Sequence, residues 1–329
     1  LGRGADRHEG RGLLAAALCL LAALAAGCMA PATTGPMVAR RGLKRTYTVP
    51  KVKPVASEDG FEFRTPHFLL RIAPEVASMD GYRTREQRTS RGLGAMLALE
   101  SQYNFLGEVL GIEAPTAIHV FVVPQVGGRE IPAVTRPVFR RDARGNMEVV
   151  VEVHFQPEVF ADPSTRAHEI THAFTILDGL PDWLQEGFAV LVEGELAGGA
   201  GYAKQNRSLR PLGFDAQGYN LIQTWRTSQN NALPFASLET YAYSYSIVAE
   251  LRDRFGDDFW KRFFQHIREG NIASGVRTKS DADIVAAMSA AAGRDLTPFF
   301  ADELRFRLTA PQPPPASGSS PPADIPPLR

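Results

Sequence analysis

Hydrophobic and polar positions along the chain follow three different rhythms. The first is an unbroken apolar run over residues 13–27, behind a basic opening with Arg3, Arg7 and Arg11. The run is shorter than the ~20 apolar residues a membrane-spanning helix needs, and it has the length and flanks of a secretory signal peptide. The second rhythm is extended. Residues 61–72 read as strand broken by a turn at Pro66, and 117–123 is a nearly continuous β-branched run, as in a buried strand. Residues 138–141 and 147–155 read as a hairpin around the turn Ala143-Arg144-Gly145-Asn146. In its second arm Met147, Val149, Val151, Val153 and Phe155 alternate with Glu148, Val150, Glu152 and His154, which suits a strand near a sheet edge.

The third rhythm is helical. Residues 91–110 carry apolar positions at helical spacing and close at Gly111, a residue suited to a left-handed cap. A further helix is announced by Asp162 as N-cap and Pro163 at the first helical position, and Gly179 stops it. The next starts at Pro181-Asp182 and continues to about residue 195. After a glycine-rich, irregular stretch over 196–236, helices are predicted for 237–254, 257–268, 280–292 and 297–308. The sum is an α+β fold with no internal repeat. A mixed-sheet part over 57–197 precedes an all-helical part over 198–309. Residues 28–56 read as a tether, and the Pro- and Ser-rich tail 310–329 lacks the apolar content to fold.

Composition narrows the function. Of 329 residues, 44% are hydrophobic, enough for a packed core, and 36 basic residues balance 36 acidic ones. That balance leaves no electrostatic footprint for nucleic acid. The cysteines are Cys19, inside the apolar run, and Cys28, at its end. The segment Leu24-Ala25-Ala26-Gly27-Cys28 resembles the lipobox of bacterial lipoproteins. The resemblance implies cleavage before Cys28, a lipid on that cysteine, and anchorage to a membrane of the bacterial cell envelope. Met29 in place of aspartate points to the outer membrane, with the protein facing the periplasm. A chain so processed has no cysteine pair, so a metal would be held by histidine and carboxylate.

The candidate chemistry sits on the capped helix, in His168-Glu169-Ile170-Thr171-His172. Residues four apart share a helix face, so both imidazoles can reach one metal, with Glu169 beside it as general base. A catalytic zinc normally has a third protein ligand and one open position. Glu186 on the following helix is the favoured third ligand, and Gly187 beside it would permit close backbone approach. Asp178 stands at the metzincin offset, six residues after His172, but Thr175 occupies the position where that pattern needs a glycine. His154 is the remaining candidate.

His168-Glu-x-x-His172 followed by Pro181-x-Trp-Leu-x-Glu186-Gly-x-Ala189 resembles the peptidase MA-like gluzincins. Looser similarities, at Tyr243-x-x-Ser246, Phe255-Gly256 and Gly293, extend the resemblance over about residues 60–308. It implies a zincin-like fold, Zn2+ held by His168, His172 and Glu186, and a peptide or protein substrate. It also places a tyrosine helix near the site. Tyr243 is the expected oxyanion donor, with Tyr241 and Tyr245 as competitors. Strand 147–155 could pair with an extended substrate. Residues 259–264 and His67 and His119 read as core or edge positions, and Glu193 as a solvated helix position or a ligand-orienting carboxylate. The competing class is a non-catalytic surface lipoprotein that keeps the fold for binding or assembly.

Overall fold

The computed structural model describes residues 53–114, 116–126, 132–141, 145–196, 198–226, 237–269 and 279–308. The expected leader, Cys28, most of the tether and the Pro-rich tail lie outside the described residues. Among those described, no helix is long and apolar enough to cross a membrane.

One mixed six-stranded sheet organises the first part. Its strands are β1 (Val55–Ala56), β2 (Glu62–Arg64), β3 (Phe68–Ile72), β4 (Ile118–Val122), β5 (Ala133–Arg141) and β6 (Met147–Phe155), in the order β1-β2-β3-β4-β6-β5. β3, β4 and β6 are mutually parallel, with Phe68 opposite Ile118 and Ile118 opposite Val151. A parallel pair needs a crossover. Between β3 and β4 that crossover contains helix α1 (Arg85–Leu110). α1 begins six residues before the sequence expectation because Thr84 and Gln87 form a reciprocal capping box, satisfying two backbone N–H groups. It ends, as expected, at a left-handed Gly111.

The expected hairpin forms, β5 against β6, but the edge position of residues 147–155 is corrected. β6 is an interior strand, bonded to β4 on one side and β5 on the other, and β5 forms the edge. The alternation misleads because the polar positions of β6 are not met by water alone. Arg136 of β5 donates to Glu152 at 3.1 Å, and the His154 ring nitrogen lies 3.0 Å from the same carboxylate oxygen. The opposite face of the sheet (Leu70, Val120, Val151, Val153 and Phe155) is buried against the helices.

The helices that follow are α2 (Pro163–Thr175), α3 (Asp182–Leu196), α4 (Ser237–Phe255), α5 (Phe259–Glu269) and α6 (Asp281–Ala292). α3 packs on both α2 and α4. The aromatic group on α5 is core, as expected: Phe188 of α3 lies edge-on to Trp260 at 4.6 Å and against Phe263 and Phe264. Each such fully buried ring contributes about 1.5–3 kcal/mol of burial free energy. One apolar core runs without a break from Phe63 to Phe306, through both parts.

The last expected helix starts at Thr297 as expected, but its end is corrected: it passes into a π-type turn over Phe299–Glu303 and the chain leaves it at Arg305, where φ is +59°. The loop around Asn220 captures the carbonyls that a longer helix would use. Asn220 donates its backbone N–H to the Arg305 carbonyl and its side-chain amide to that of Leu304, each at 2.8 Å. Gln223 accepts from the Arg307 N–H at 2.7 Å.

Candidate metal centre

Helix α2 follows directly from its sequence. The Asp162 carboxylate accepts from the backbone N–H groups of Ser164 and Thr165, and Pro163 fills the position that needs no donor. Ala167, Ile170, Thr171 and Phe174 are buried, which fixes the rotation of the helix and leaves His168 and His172 half-buried on the side towards α3. A 3-10 turn over Ile176–Asp178 and a left-handed Gly179 reverse the chain, so that α3 returns along α2.

Glu186 lies on the facing side of α3 and is buried. Its Oε2 is 3.1 Å from His168 Nε2 and 3.4 Å from His172 Nε2. Ligand atoms from these three residues lie within 4.8 Å of one another. The neighbouring glycine is what allows the approach. A Cβ on Gly187 would stand 2.6 Å from Val248 Cγ2 and 2.7 Å from the Ser244 carbonyl oxygen of α4.

Electrostatics favour a cation here. Burial works to raise the Glu186 pKa, yet the His172 charge and hydrogen bonds to both imidazoles hold it well below the usual carboxylate range. Burial likewise works against protonating His168, but hydrogen bonds to Glu186 and Glu193 push its pKa up to about 10. Among the described residues, no Lys or Arg forms an ion pair with Glu169, Glu186 or Glu193. A pocket with three carboxylates, two imidazoles and no basic partner demands positive charge. Its donor set, two ring nitrogens and a carboxylate oxygen, fits a metal ion.

Two supporting contacts complete the site. Glu193, two helical turns beyond Glu186, places Oε2 3.4 Å from His168 Nδ1, while its Oε1 accepts from the Ala200 N–H at 3.0 Å. The reading of Glu193 as a solvated position is thereby corrected. Engaging Nδ1 fixes the ring tautomer and turns the Nε2 lone pair towards the ligand cluster. The second contact, Thr135 on edge strand β5, had no signal in the sequence. Its hydroxyl lies 2.7 Å from Glu169 Oε2 and 2.9 Å from the Glu169 carbonyl oxygen, and donates from the sheet to this helix residue.

The other candidates are placed elsewhere. Asp178 is gripped by Arg268 through two 3.0 Å contacts, and His154 is engaged with Glu152 and Arg136, so neither joins the cluster. Tyr243 is turned away as well: its phenolic oxygen accepts from Asn220 Nδ2 at 2.7 Å. Tyr241 is the tyrosine that meets the site, its ring 6.1 Å from that of His168 and edge-on to Trp225. The Glu186 charge, together with burial, holds the Tyr241 pKa well above the usual phenol value, so this hydroxyl stays protonated. A cavity of about 750 Å³, lined by Tyr202, Leu212, Phe214, Leu238, Ala242 and Tyr243, includes none of the donor residues. No family model matches the chain, and no curated protein matches it.

Proposed function

We propose that the chain is a zinc-dependent metallopeptidase of gluzincin type, with a zincin-like fold, held at a bacterial envelope membrane through a lipid on Cys28. One observation carries the reading. His168, His172 and Glu186 converge from two helices, while Glu169, adjacent in sequence to the first of them, is kept out of the cluster by Thr135. Two imidazoles and one carboxylate leave a fourth position open, the arrangement of catalytic rather than structural zinc. The lipid part of the proposal rests on the apolar run and the segment ending at Cys28.

When bound, zinc supplies Lewis acidity, polarising a carbonyl and bringing the pKa of a water towards neutrality. The chain's own groups do the rest. Glu169 accepts a proton from the attacking water and returns it to the departing amine. Thr135 keeps one oxygen of that carboxylate in place. Tyr241, held protonated, is the donor for the developing oxyanion, in place of Tyr243. Glu193 holds the His168 ring.

The test is zinc content and peptide hydrolysis measured on the same preparations. Wild-type protein should carry about one zinc per chain, as a single cluster of three ligands requires. Glu169→Ala should keep that zinc and lose hydrolysis, whereas Glu186→Ala should lose the zinc itself. Full activity in Glu169→Ala, or no zinc in the wild type after metal is added back, would sink the proposal.

A further inference from the structure

We propose that the far end of the β5–β6 hairpin is a specificity surface on which Phe139 and Met147 receive a bulky apolar side chain of an extended peptide substrate. This deepens the peptidase reading and rests on it. The strand register sets the geometry. Thr135 pairs with Val153, Pro137 with Val151, Phe139 with Val149 and Arg141 with Met147. Directly opposed residues, and every second residue along a strand, share a face. The row Thr135, Pro137, Phe139 therefore projects to the side of the sheet where Thr135 meets Glu169 of α2.

Beneath α2 that face is closed: Val151 and Val153 are fully buried. Further along it opens. Phe139 is 57% exposed and Met147, its diagonal neighbour across the ladder, 60%, with Val149 half-buried between them. These are two of the few large apolar side chains that the described residues leave in water, and Phe139 lies on the strand whose Thr135 contacts the proposed base. Four residues separate Phe139 from Thr135, roughly 13 Å along an extended strand.

β5 is also the sheet edge, with no strand on its outer side among the described residues. Pro137, at mid-strand, has no N–H to offer. Backbone pairing along this edge is therefore incomplete, and side chains must supply much of the discrimination. A peptide lying along β5 with its scissile bond beside Glu169 brings a residue about four positions away over Phe139 and Met147.

Charge argues against a membrane surface as the occupant. Arg136 and Arg140 face the other side of the sheet, where they pair with Glu152 and Glu148, which leaves on this face the single arginine Arg141, donating to the Gly145 carbonyl at 2.9 Å. Continuity with Glu169 through a single strand favours the substrate over a second copy of the chain.

The test uses the zinc-loaded full chain and a random decapeptide library, with cleavage products read by mass spectrometry. Wild-type protein should favour Phe, Leu, Ile or Met at one position about three to five residues from the cleaved bond. The Phe139→Ser/Met147→Ser variant should lose that preference. For the selected peptide its kcat/KM should fall about tenfold, while a peptide with serine at that position is cut at an unchanged rate. Phe139→Leu/Met147→Leu should keep the preference. Fluorescence anisotropy of the labelled selected peptide, measured in a Glu169→Gln background, should show the same tenfold loss of binding. A wild type without a positional preference, a preference that survives both serines, or equal binding would overturn the inference while leaving the peptidase reading intact. A change of oligomeric state on serine substitution, with the preference unchanged, would assign the face to a second copy and also overturn it. No cleavage of any library peptide would refute the peptidase reading itself.

Discussion

Gly187→Ala separates two opposed physical expectations. From helix propensity alone, replacing a glycine inside α3 should stabilise the protein by up to ~1 kcal/mol. The packing against α4 predicts the reverse. The new Cβ would stand 2.6 Å from Val248 Cγ2 and 2.7 Å from the Ser244 carbonyl oxygen. The valine methyl can be turned aside, but the carbonyl belongs to a helix backbone. The two helices must separate by roughly 0.7 Å to restore ordinary contact. Overpacking of this kind costs about 1–3 kcal/mol, so the net change after the propensity gain should be a destabilisation of up to about 2 kcal/mol. The displacement also falls on the residue beside Glu186. Metal–ligand distances tolerate only about ±0.2 Å, so zinc affinity should drop by at least about tenfold. Urea unfolding of the metal-free protein gives the first number, and competition with a chromophoric chelator gives the second. A variant as stable as wild type, binding zinc equally well, would refute the claim that this glycine sets the distance between α3 and α4.

Further outcomes follow at four residues of the site and its surroundings. Thr135→Val keeps the shape but removes a donor from a carboxylate, an interaction worth about 1.5–3 kcal/mol, so kcat should fall about tenfold or more with zinc content unchanged. Thr135→Ser should recover most of it in the same steady-state assay. Glu193→Ala should weaken zinc about 10–100-fold in chelator competition, because His168 loses the group that orients it. Tyr241→Phe should cut kcat by about 10²-fold with little change in KM. Tyr243→Phe should leave kcat untouched and lower the melting temperature, since its hydroxyl serves Asn220.

Local signals were legible wherever one residue type determines the backbone. Asp162 and Pro163 fixed the start of α2, Gly111 the end of α1, and Gly179 the reversal that brings Glu186 back to the histidines. The meeting of His168 and His172 on one helix face followed, because four-residue spacing on a helix is a geometric statement. What stayed hidden depends on partners remote in sequence. Thr135 is one threonine in a strand until the sheet order puts β5 beside Glu169. Asp178 reads as a ligand until Arg268, 90 residues later, claims it. Tyr241 and Tyr243 differ only in which of two neighbours, His168 or Asn220, each one meets. The end of the last helix stayed hidden for the same reason: Asn220 and Gln223 bind groups that helical periodicity assigns to the helix itself.

The clasp on the end of the chain has a consequence for the order of events during synthesis. Trp183, three residues before Glu186, donates its indole N–H to Asp281 at 3.0 Å and meets the Phe306 ring edge-on at 5.3 Å. The helix bearing the third ligand is thus buttressed by residues that are made last. A chain emerging from its N-terminal end has both histidines out 134 residues before Phe306 appears. At translation rates of about 5–20 residues per second, that is an interval on the order of ten seconds. A fragment interrupted before Ser280 would carry His168, Glu169 and His172 and still lack the support that holds Glu186 against them. On the proposed reading, metal capture is a late step tied to completion of the polypeptide, and a broken-off product lacks the support for Glu186.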